Sequence, residues 1–195
     1  MKGVCYVALG QNARREMKAS RATLKDLPST VFDTWDQVSG VTIVQQAHLA
    51  KTRVFEWSPY DYTLLLDADT RVMGDLSFGF LLLEAGWDIV MVPSLPPREN
   101  LVLWHLSPKE KEHTINSLGN WGHIMLNTGV LFFRKSEAVQ RLFTAWEHEW
   151  NLFKGPDQGA FLRALRQHPV KIFLLSQAYN SAKGSIVKHL FGRAV

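Results

Sequence analysis

Short apolar runs alternate with longer amphipathic stretches along most of the chain. The apolar runs predict strands at 3–9, 30–32, 41–44, 64–66, 88–92, 124–133 and 170–175, and a short strand before His189 in the tail at 185–193. Stretches with helical periodicity predict helices at 13–25, 47–55, 78–84, 137–153 and 160–166. Strands that alternate with helices in this way are typical of an α/β sandwich with a mixed, mostly parallel sheet.

Two carboxylates, Asp67 and Asp69, follow directly on the three leucines of the strand at 64–66. Open α/β sheets bind ligands outside the carboxyl ends of their strands, where the chain bends and residues i and i+2 can converge. Carboxylate oxygens suit Mg²⁺ or Mn²⁺, and such ions commonly hold substrate phosphates. The pair therefore predicts a metal site, with a helix cap or a solvated turn as the alternative interpretation.

Composition narrows the class of protein. With 195 residues, of which 46% are hydrophobic, the chain can bury one sizeable core, and we expect a single domain over 1–195. It has no apolar run long enough for a transmembrane segment, and its start is typical of a first strand rather than a signal peptide. A single cysteine, Cys5, excludes an internal disulfide and favours a cytoplasmic location and a buried structural thiol. The net charge of +4 favours anionic ligands such as nucleotides, and we expect no nucleic-acid partner.

Two glycine-containing stretches are candidate ligand contacts. Gly10, Gln11 and Asn12 lie between the first strand and the first helix, where backbone N–H groups suit part of a nucleotide. The alternative is an ordinary turn. Asn127, Thr128 and Gly129 interrupt an apolar strand, which indicates a close backbone approach, a bound ligand or a β-bulge.

Several other residues have simpler interpretations. Trp146 and Trp150 are four residues apart on a helix and are predicted to lie in the core. Asp157 precedes a helix and could serve as its N-cap. The segment at 93–122 has little regular pattern. Two interpretations of its Trp104 and Trp121 are open: they could line a sugar or other acceptor, or simply anchor the loop. Its histidines, His105, His113 and His123, lack metal-ligand spacing and are interpreted as ordinary loop residues.

Five motifs occur in one order along the chain: KTRVFEWSPYDYTLLLDADT, NTGVLFFRKS, DQGAFLRAL, an Ala-Tyr-Asn and KHLFGR. Together they resemble the GT-A glycosyltransferases of the glycogenin and bacterial lipopolysaccharide galactosyltransferase type, over nearly the whole chain. The resemblance implies the GT-A fold, a Rossmann-like α/β/α sandwich. It also implies metal-dependent, retaining transfer of a sugar from a nucleotide-diphosphate-sugar, most simply a UDP-sugar, to a glycan, lipid-linked or protein acceptor.

The resemblance implies roles for individual residues as well. Asp67, Asp69 and His189 match the metal ligands, for Mn²⁺ or Mg²⁺, and Lys51 matches a lysine on the sugar-nucleotide. Asp157 and Gln158 match the candidate catalytic positions, which orient the donor sugar or shield charge at the reacting carbon. Other positions that match the donor site are Leu9, Gly10, Asn12, Ala68, Asn127, Thr128, Gly129 and Gly192.

The chain also departs from the family pattern. Arg15 stands where the family often has an aromatic residue that stacks on the base, which leaves the base preference open. The lysine that commonly follows the last motif is missing, and Lys188 is a candidate substitute. Two alternatives remain: a non-catalytic protein that binds a nucleotide-sugar or glycan on the same fold, and a haloacid-dehalogenase-like phosphatase. The phosphatase family expects Thr or Val where this chain has Arg71, and expects the motif near the N-terminus.

Overall fold

A computed structural model describes residues 1–34, 39–94, 105–119 and 124–194. The strands are β1 (Lys2–Val7), β2 (Ser29–Phe32), β3 (Tyr62–Leu66), β4 (Thr70–Val72), β5 (Ile89–Pro93), β6 (Leu126–Arg134), β7 (Ile172–Leu174) and β8 (Val187–His189). The helices are α1 (Gln11–Arg21), α2 (Ile43–Thr52), α3 (Val54–Trp57), α4 (Ser77–Glu84), α5 (Pro108–Leu118), α6 (Glu137–Phe153) and α7 (Asp157–Gln167), with a short 3₁₀ helix at Gln177–Tyr179.

Six of these strands form one sheet in the order β2-β1-β3-β6-β5-β7. The pairs β1–β2, β1–β3 and β5–β7 are parallel, and β6 runs antiparallel to both of its neighbours. The predicted mixed, mostly parallel sheet is therefore confirmed. Strands β4 and β8 form a separate antiparallel pair that begins just beyond the end of β3.

Helices cover both faces of the large sheet. Leu65 points into a core formed with α2, α6 and α7, and its neighbours Leu64 and Leu66 point into a second core formed with α1 and α4. Successive residues of a strand face opposite sides, so a strand buried on both faces has no polar position in its centre. This arrangement confirms the predicted α/β/α sandwich and explains the uninterrupted run of leucines.

The predicted core residues are buried. Trp146 and Trp150 on α6 are 0% and 1% exposed, and α6 has the predicted bounds. Cys5 on β1 is fully buried, and this burial raises the pKa of its thiol to about 11. A thiol with so high a pKa stays protonated at neutral pH, which fits the structural role expected for it.

One predicted strand is wrong. Residues 41–44 were expected to form a strand, but α2 begins at Ile43. Thr42 is the N-cap: its hydroxyl accepts a hydrogen bond from the Gln45 N–H, and the Gln45 side chain accepts one from the Thr42 N–H. This reciprocal pair satisfies two N–H groups that a helix start would otherwise leave unpaired, and it outweighs the apolar character of the segment.

The segment at 93–122 is more regular than its sequence suggests. Helix α5 occupies Pro108–Leu118, with Ser107 as its N-cap and a proline in its first turn. His113 therefore lies on a helix, and its interpretation as a loop residue is wrong. The expectations for Trp104, Trp121 and His123 concern positions outside the described residues. Among the described residues, no helix combines the length and the apolar character that crossing a bilayer would require.

Candidate active site

Asp67, Asp69 and His189 converge at the carboxyl end of β3. Asp67 follows β3 directly, and the pairing of Thr70 with His189 between β4 and β8 brings the histidine alongside. His189 Nε2 lies 3.2 Å from Asp69 Oδ1 and 3.7 Å from Asp67 Oδ2. One potential ligand atom from each of the three residues lies within 4.8 Å of the others, so the group could hold a metal ion.

A buried amide orients the imidazole of His189. Asn180 Oδ1 lies 2.7 Å from His189 Nδ1, and because an amide oxygen only accepts, Nδ1 carries the hydrogen. Nε2 then faces two carboxylates, where it needs either a proton or a metal ion between them. Metal-binding histidines are commonly held by such a hydrogen bond from the other ring nitrogen. The donor set and its orientation therefore fit a divalent cation.

Gly129 leaves room for this group. Its N–H donates to Asn127 Oδ1 over 2.8 Å, and a Cβ at this position would lie 2.5 Å from His189 Cε1 and 2.7 Å from Asp67 Oδ2. The β5–β6 register shifts in the same region, between Met91 and Val92. The stretch at 127–129 thus combines the two structural features expected from its sequence, a close backbone approach and a bulge.

Lys51 lies between Asp67, one of the three candidate metal ligands, and Asp157. Its ammonium, at the last turn of α2, forms an ion pair with Asp67 Oδ1 and lies 3.6 Å from Asp157 Oδ2. Burial by itself would lower the pKa of Lys51, but the charges of Asp157 and Asp67 raise it above its usual value. Lys51 therefore remains a cation between two carboxylates that lie 90 positions apart in the sequence.

Asp157 is held as an anion rather than used as a helix cap. Pro156 is the N-cap of α7, and no side chain caps this helix. The Thr128 hydroxyl donates to Asp157 Oδ2 over 2.9 Å, and His48 Nδ1 lies 3.3 Å from Oδ1. Burial acts to raise the pKa of Asp157, but Lys51 and His48 hold it well below its usual range. The N-cap interpretation is therefore wrong.

A core tryptophan fixes the backbone at Asp157. Trp146 Nε1 donates to the main-chain oxygen of Asp157 over 2.9 Å, and Trp150 Nε1 donates to the Gly155 oxygen over 2.9 Å. Both hydrogen bonds are made by side chains whose rings pack in the core. The loop before α7 is thus attached to the rigid part of the molecule, and the position of the Asp157 carboxylate follows from that attachment.

Two histidines beside Asp157 did not stand out in the sequence. His48 lies one helical turn before Lys51 on α2, so both side chains lie on one face of the helix, and this i, i+3 spacing was the available signal. His105, interpreted above as an ordinary loop residue, lies close enough to Asp157 and His48 for both to affect its pKa, which burial lowers. Nothing in the local pattern around His105 indicates this position.

A cleft of about 230 Å³ opens over the site. Among the candidate residues it is lined by Leu9, Gly10, Asn12, Lys51, Asp67, Ala68, Asp69 and His189, and His48 and Ala194 complete part of its wall. Gly10 has a φ of +92°, which the first βα turn requires. Nucleotide-sized ligands commonly bind in clefts of this kind, at the carboxyl ends of parallel strands.

The remaining candidate residues differ in their relation to the site. Gly192, with a φ of +82°, precedes Arg193, whose main-chain N–H donates to Asp69 Oδ2 over 3.1 Å. Gln158 is half-buried on α7 and makes no hydrogen bond to another described site residue. Lys188 is exposed and pairs with Arg71, so it lies on the opposite face of β8 from His189. Its side chain is therefore directed away from the metal-binding group, and Lys188 is not a diphosphate-binding candidate in this structure.

Several solved structures with the same architecture are glycosyltransferases. Mouse xyloside xylosyltransferase 1 superposes with a TM-score of 0.63 at 9% identity, over 100% of this chain and 99% of that one. A glycosyltransferase involved in glycosylation of the major capsid of PBCV-1 gives 0.60 at 13% identity, over 98% and 96%. Galactosyltransferase LgtC, solved with donor and acceptor sugar analogues, gives 0.55 at 12% identity, over 98% and 87%.

Sequence comparison adds nothing to this likeness, because neither a protein-family model nor a curated protein sequence matches the chain. The identities are low, so the structural likeness concerns the fold. It offers no support for the phosphatase alternative. The chain has the GT-A fold of the glycosyltransferases, with a possible metal-binding group of two aspartates and a histidine at the carboxyl end of its central strand.

Proposed function

We propose that the chain is a metal-dependent glycosyltransferase, with residues 1–195 as one catalytic domain. It transfers a sugar, with retention of anomeric configuration, from a nucleotide-diphosphate-sugar to a glycan, lipid-linked or protein acceptor. One observation carries this proposal: Asp67, Asp69, His189 and Lys51 line a single cleft of a GT-A fold, and the buried Asp157 carboxylate lies next to Lys51.

The donor set indicates how the diphosphate is bound. Asp67, Asp69 and His189 would hold Mn²⁺ or Mg²⁺. A bound divalent ion neutralises the negative charge that develops on a departing diphosphate. Lys51, which stays protonated, adds a second positive charge at the same place. The first βα turn, with Leu9, Gly10 and Asn12, lines the part of the cleft that would receive the nucleoside.

Asp157 would act on the sugar. Its carboxylate is kept ionised by Lys51 and His48 and is fixed by the Thr128 hydroxyl, so it needs no reorganisation when positive charge develops at the anomeric carbon. Gln158, Asn127 and the backbone at Gly129 would orient the sugar hydroxyls beside it. This arrangement does not require any residue to act as a covalent nucleophile.

A panel of nucleotide-sugars tests the donor. Thermal shift with UDP-, GDP- and ADP-sugars, with and without Mn²⁺, should identify a nucleotide that stabilises the protein only with the metal. Donor hydrolysis or transfer to sugar acceptors should follow with that nucleotide. Tight binding without either reaction would instead establish the non-catalytic alternative.

The variant Asp69→Asn tests the metal group. The amide keeps the acceptor for the Arg193 N–H but loses the charge, so metal-dependent nucleotide binding should disappear in calorimetry. Asp26→Asn removes one charge from an exposed position and should bind as the wild type does. Unchanged affinity in Asp69→Asn would overturn the assignment of the metal ligands.

A further inference from the structure

Helix α1 carries most of the excess positive charge of the protein. Its 11 residues include four cations, Arg14, Arg15, Lys18 and Arg21, and one acid, Glu16. Three of the four net positive charges of the chain therefore belong to this one helix. None of these four side chains lines the cleft.

The acidic and the basic side chains of α1 lie on different faces of the helix. Glu16 is buried, and its carboxylate is held by Arg71, whose Nη2 lies 2.6 Å from Oε2. All four cations are exposed, and Arg14, Lys18 and Arg21 repeat at i, i+4 and i+7, so they form one stripe along the helix. We call the surface formed by Arg14, Arg15, Lys18 and Arg21 the α1 basic face.

This arrangement works against the stability of the helix. Lys18 and Arg21 lie in the last turn, where they favour the helix dipole, but like charges at i, i+3 and i, i+4 repel each other, and the first turn contains no acidic residue. A solvated helix face ordinarily mixes both signs of charge. Lys18 and Arg21 form no ion pair with any described residue, so their charge is available to a partner.

Two further cationic residues lie near α1, of which Arg71 is paired with buried Glu16 and Lys188 is exposed. Arg71 on β4 lies beside α1 through its ion pair with Glu16, and the exposed Lys188 is its neighbour across the β4–β8 pair. At the C-terminal end of α1, the Val72 N–H donates to the Thr23 hydroxyl, and the next residue, Met73, is 63% exposed. A cationic helix is thus accompanied by an exposed apolar side chain.

We propose that the α1 basic face docks the protein onto an anionic lipid bilayer. The cations are long, exposed and spread along about 10 Å of helix, from Arg14 to Arg21, and they do not converge on one point. Such an array suits a surface of many mobile phosphate headgroups better than one bound phosphate. Ala19, the one other exposed residue between Arg14 and Arg21, offers no aromatic ring for base stacking, which favours a bilayer over single-stranded nucleic acid.

Vesicle sedimentation tests the proposal. The full chain should sediment with vesicles of 70% phosphatidylcholine and 30% phosphatidylglycerol, should stay in solution with pure phosphatidylcholine, and should be released by salt. The variant Arg14→Gln/Lys18→Gln/Arg21→Gln removes the whole stripe, keeps good helix formers and should keep its melting temperature. Each cation near an anionic surface raises the partition coefficient onto the vesicles roughly fivefold. Loss of three cations should therefore lower the partitioning of the variant on the order of a hundredfold.

A matched control separates position from total charge. Lys109→Gln/Arg166→Gln/Lys171→Gln removes three exposed cations on other elements and should still bind the anionic vesicles. Equal loss in both variants, or no sedimentation of the wild type, would overturn the proposal. So would tighter binding to a 20-base-pair duplex than to the vesicles. Donor binding measured without vesicles should be the same in all three proteins, so this result is independent of the proposed enzymatic function.

Discussion

His189 Nδ1 lies 2.7 Å from Asn180 Oδ1, and this one hydrogen bond decides which ring nitrogen faces Asp67 and Asp69. Asn180 is only 2% exposed and lies outside the lining of the cleft. Its contribution is therefore to orient the His189 ring rather than to bind a metal ion or a substrate itself. Residues that hold metal ligands in this way typically affect affinity for the metal strongly.

Replacement of Asn180 should therefore weaken metal binding. We expect Asn180→Ala to reduce affinity for Mn²⁺, measured by calorimetry with a nucleoside diphosphate present, by about 10- to 100-fold. Asn116→Ala, at an exposed position on α5, is the control and should leave the affinity unchanged. Wild-type affinity in Asn180→Ala would mean that His189 needs no such support.

Lys51 should discriminate between ligands with and without phosphate. Its ammonium lies beside Asp67, where a diphosphate would be bound, so Lys51→Ala should weaken nucleoside diphosphate binding and spare nucleoside binding. The loss of a charged hydrogen bond costs about 1.5–3 kcal/mol. Titration calorimetry with both ligands, and with Lys109→Ala as a control, measures the difference; equal losses would place Lys51 away from the phosphates.

Asp157 should affect turnover more than binding. If its charge stabilises the donor sugar in the transition state, Asp157→Asn should lower kcat about a hundredfold and leave the KM for the donor nearly unchanged. The same change leaves buried Lys51 with one partner fewer, so the melting temperature should also fall, and assays belong well below it. Asp75→Asn, at an exposed position, should behave as the wild type. Normal turnover in folded Asp157→Asn would remove Asp157 from the reaction.

His48 should act through Asp157. Its Nδ1 lies 3.3 Å from Asp157 Oδ1, so His48→Phe would keep the volume of an aromatic ring and lose the polar contact. We expect a fall in kcat of about tenfold, corresponding to about 1.4 kcal/mol, with little change in the donor KM. His48→Asn, which can still donate to the carboxylate, should recover part of the activity. His148→Phe, on the exposed face of α6, is the control. A change confined to KM would indicate that His48 binds substrate instead.

Acid should destabilise the protein partly through Asp157. The pKa of Asp157 is lower in the folded protein than in the unfolded chain, so its stabilising contribution is complete above about pH 4 and is lost as the pH falls further. Urea unfolding at pH 7, 5, 4 and 3 should show a steeper loss for the wild type than for Asp157→Asn. Burial raises the pKa of Glu110, so its contribution to stability has the opposite pH dependence. Because Glu110 is present in both proteins, this contribution cancels in the comparison. Parallel curves would contradict the prediction.

The sequence predicted the core of the fold well because its signals are local. An unbroken apolar run predicted the strand at Leu64 to Leu66 and its burial on both faces of the sheet. A period of 3.6 residues predicted the helix with Trp146 and Trp150. The errors at 41–44 and in α5 have a different origin. In both places a capping residue, Thr42 or Ser107, starts a helix whose apolar pattern is weak.

The same distinction between local and tertiary information applies to the candidate site. The sequence by itself determined which residues are chemically suited to a metal and a diphosphate, since Asp67 and Asp69 follow a buried strand and the spaced motifs supplied His189, Lys51 and Asp157. Only the tertiary structure decided that Lys51 bridges Asp67 and Asp157, that His48 and His105 lie beside that carboxylate, and that Lys188 faces away. The physical reason is that these relations join residues far apart in the chain. They depend on how helices α2 and α7 pack on the sheet and on the register of β4 with β8, which no local pattern of polar and apolar residues encodes.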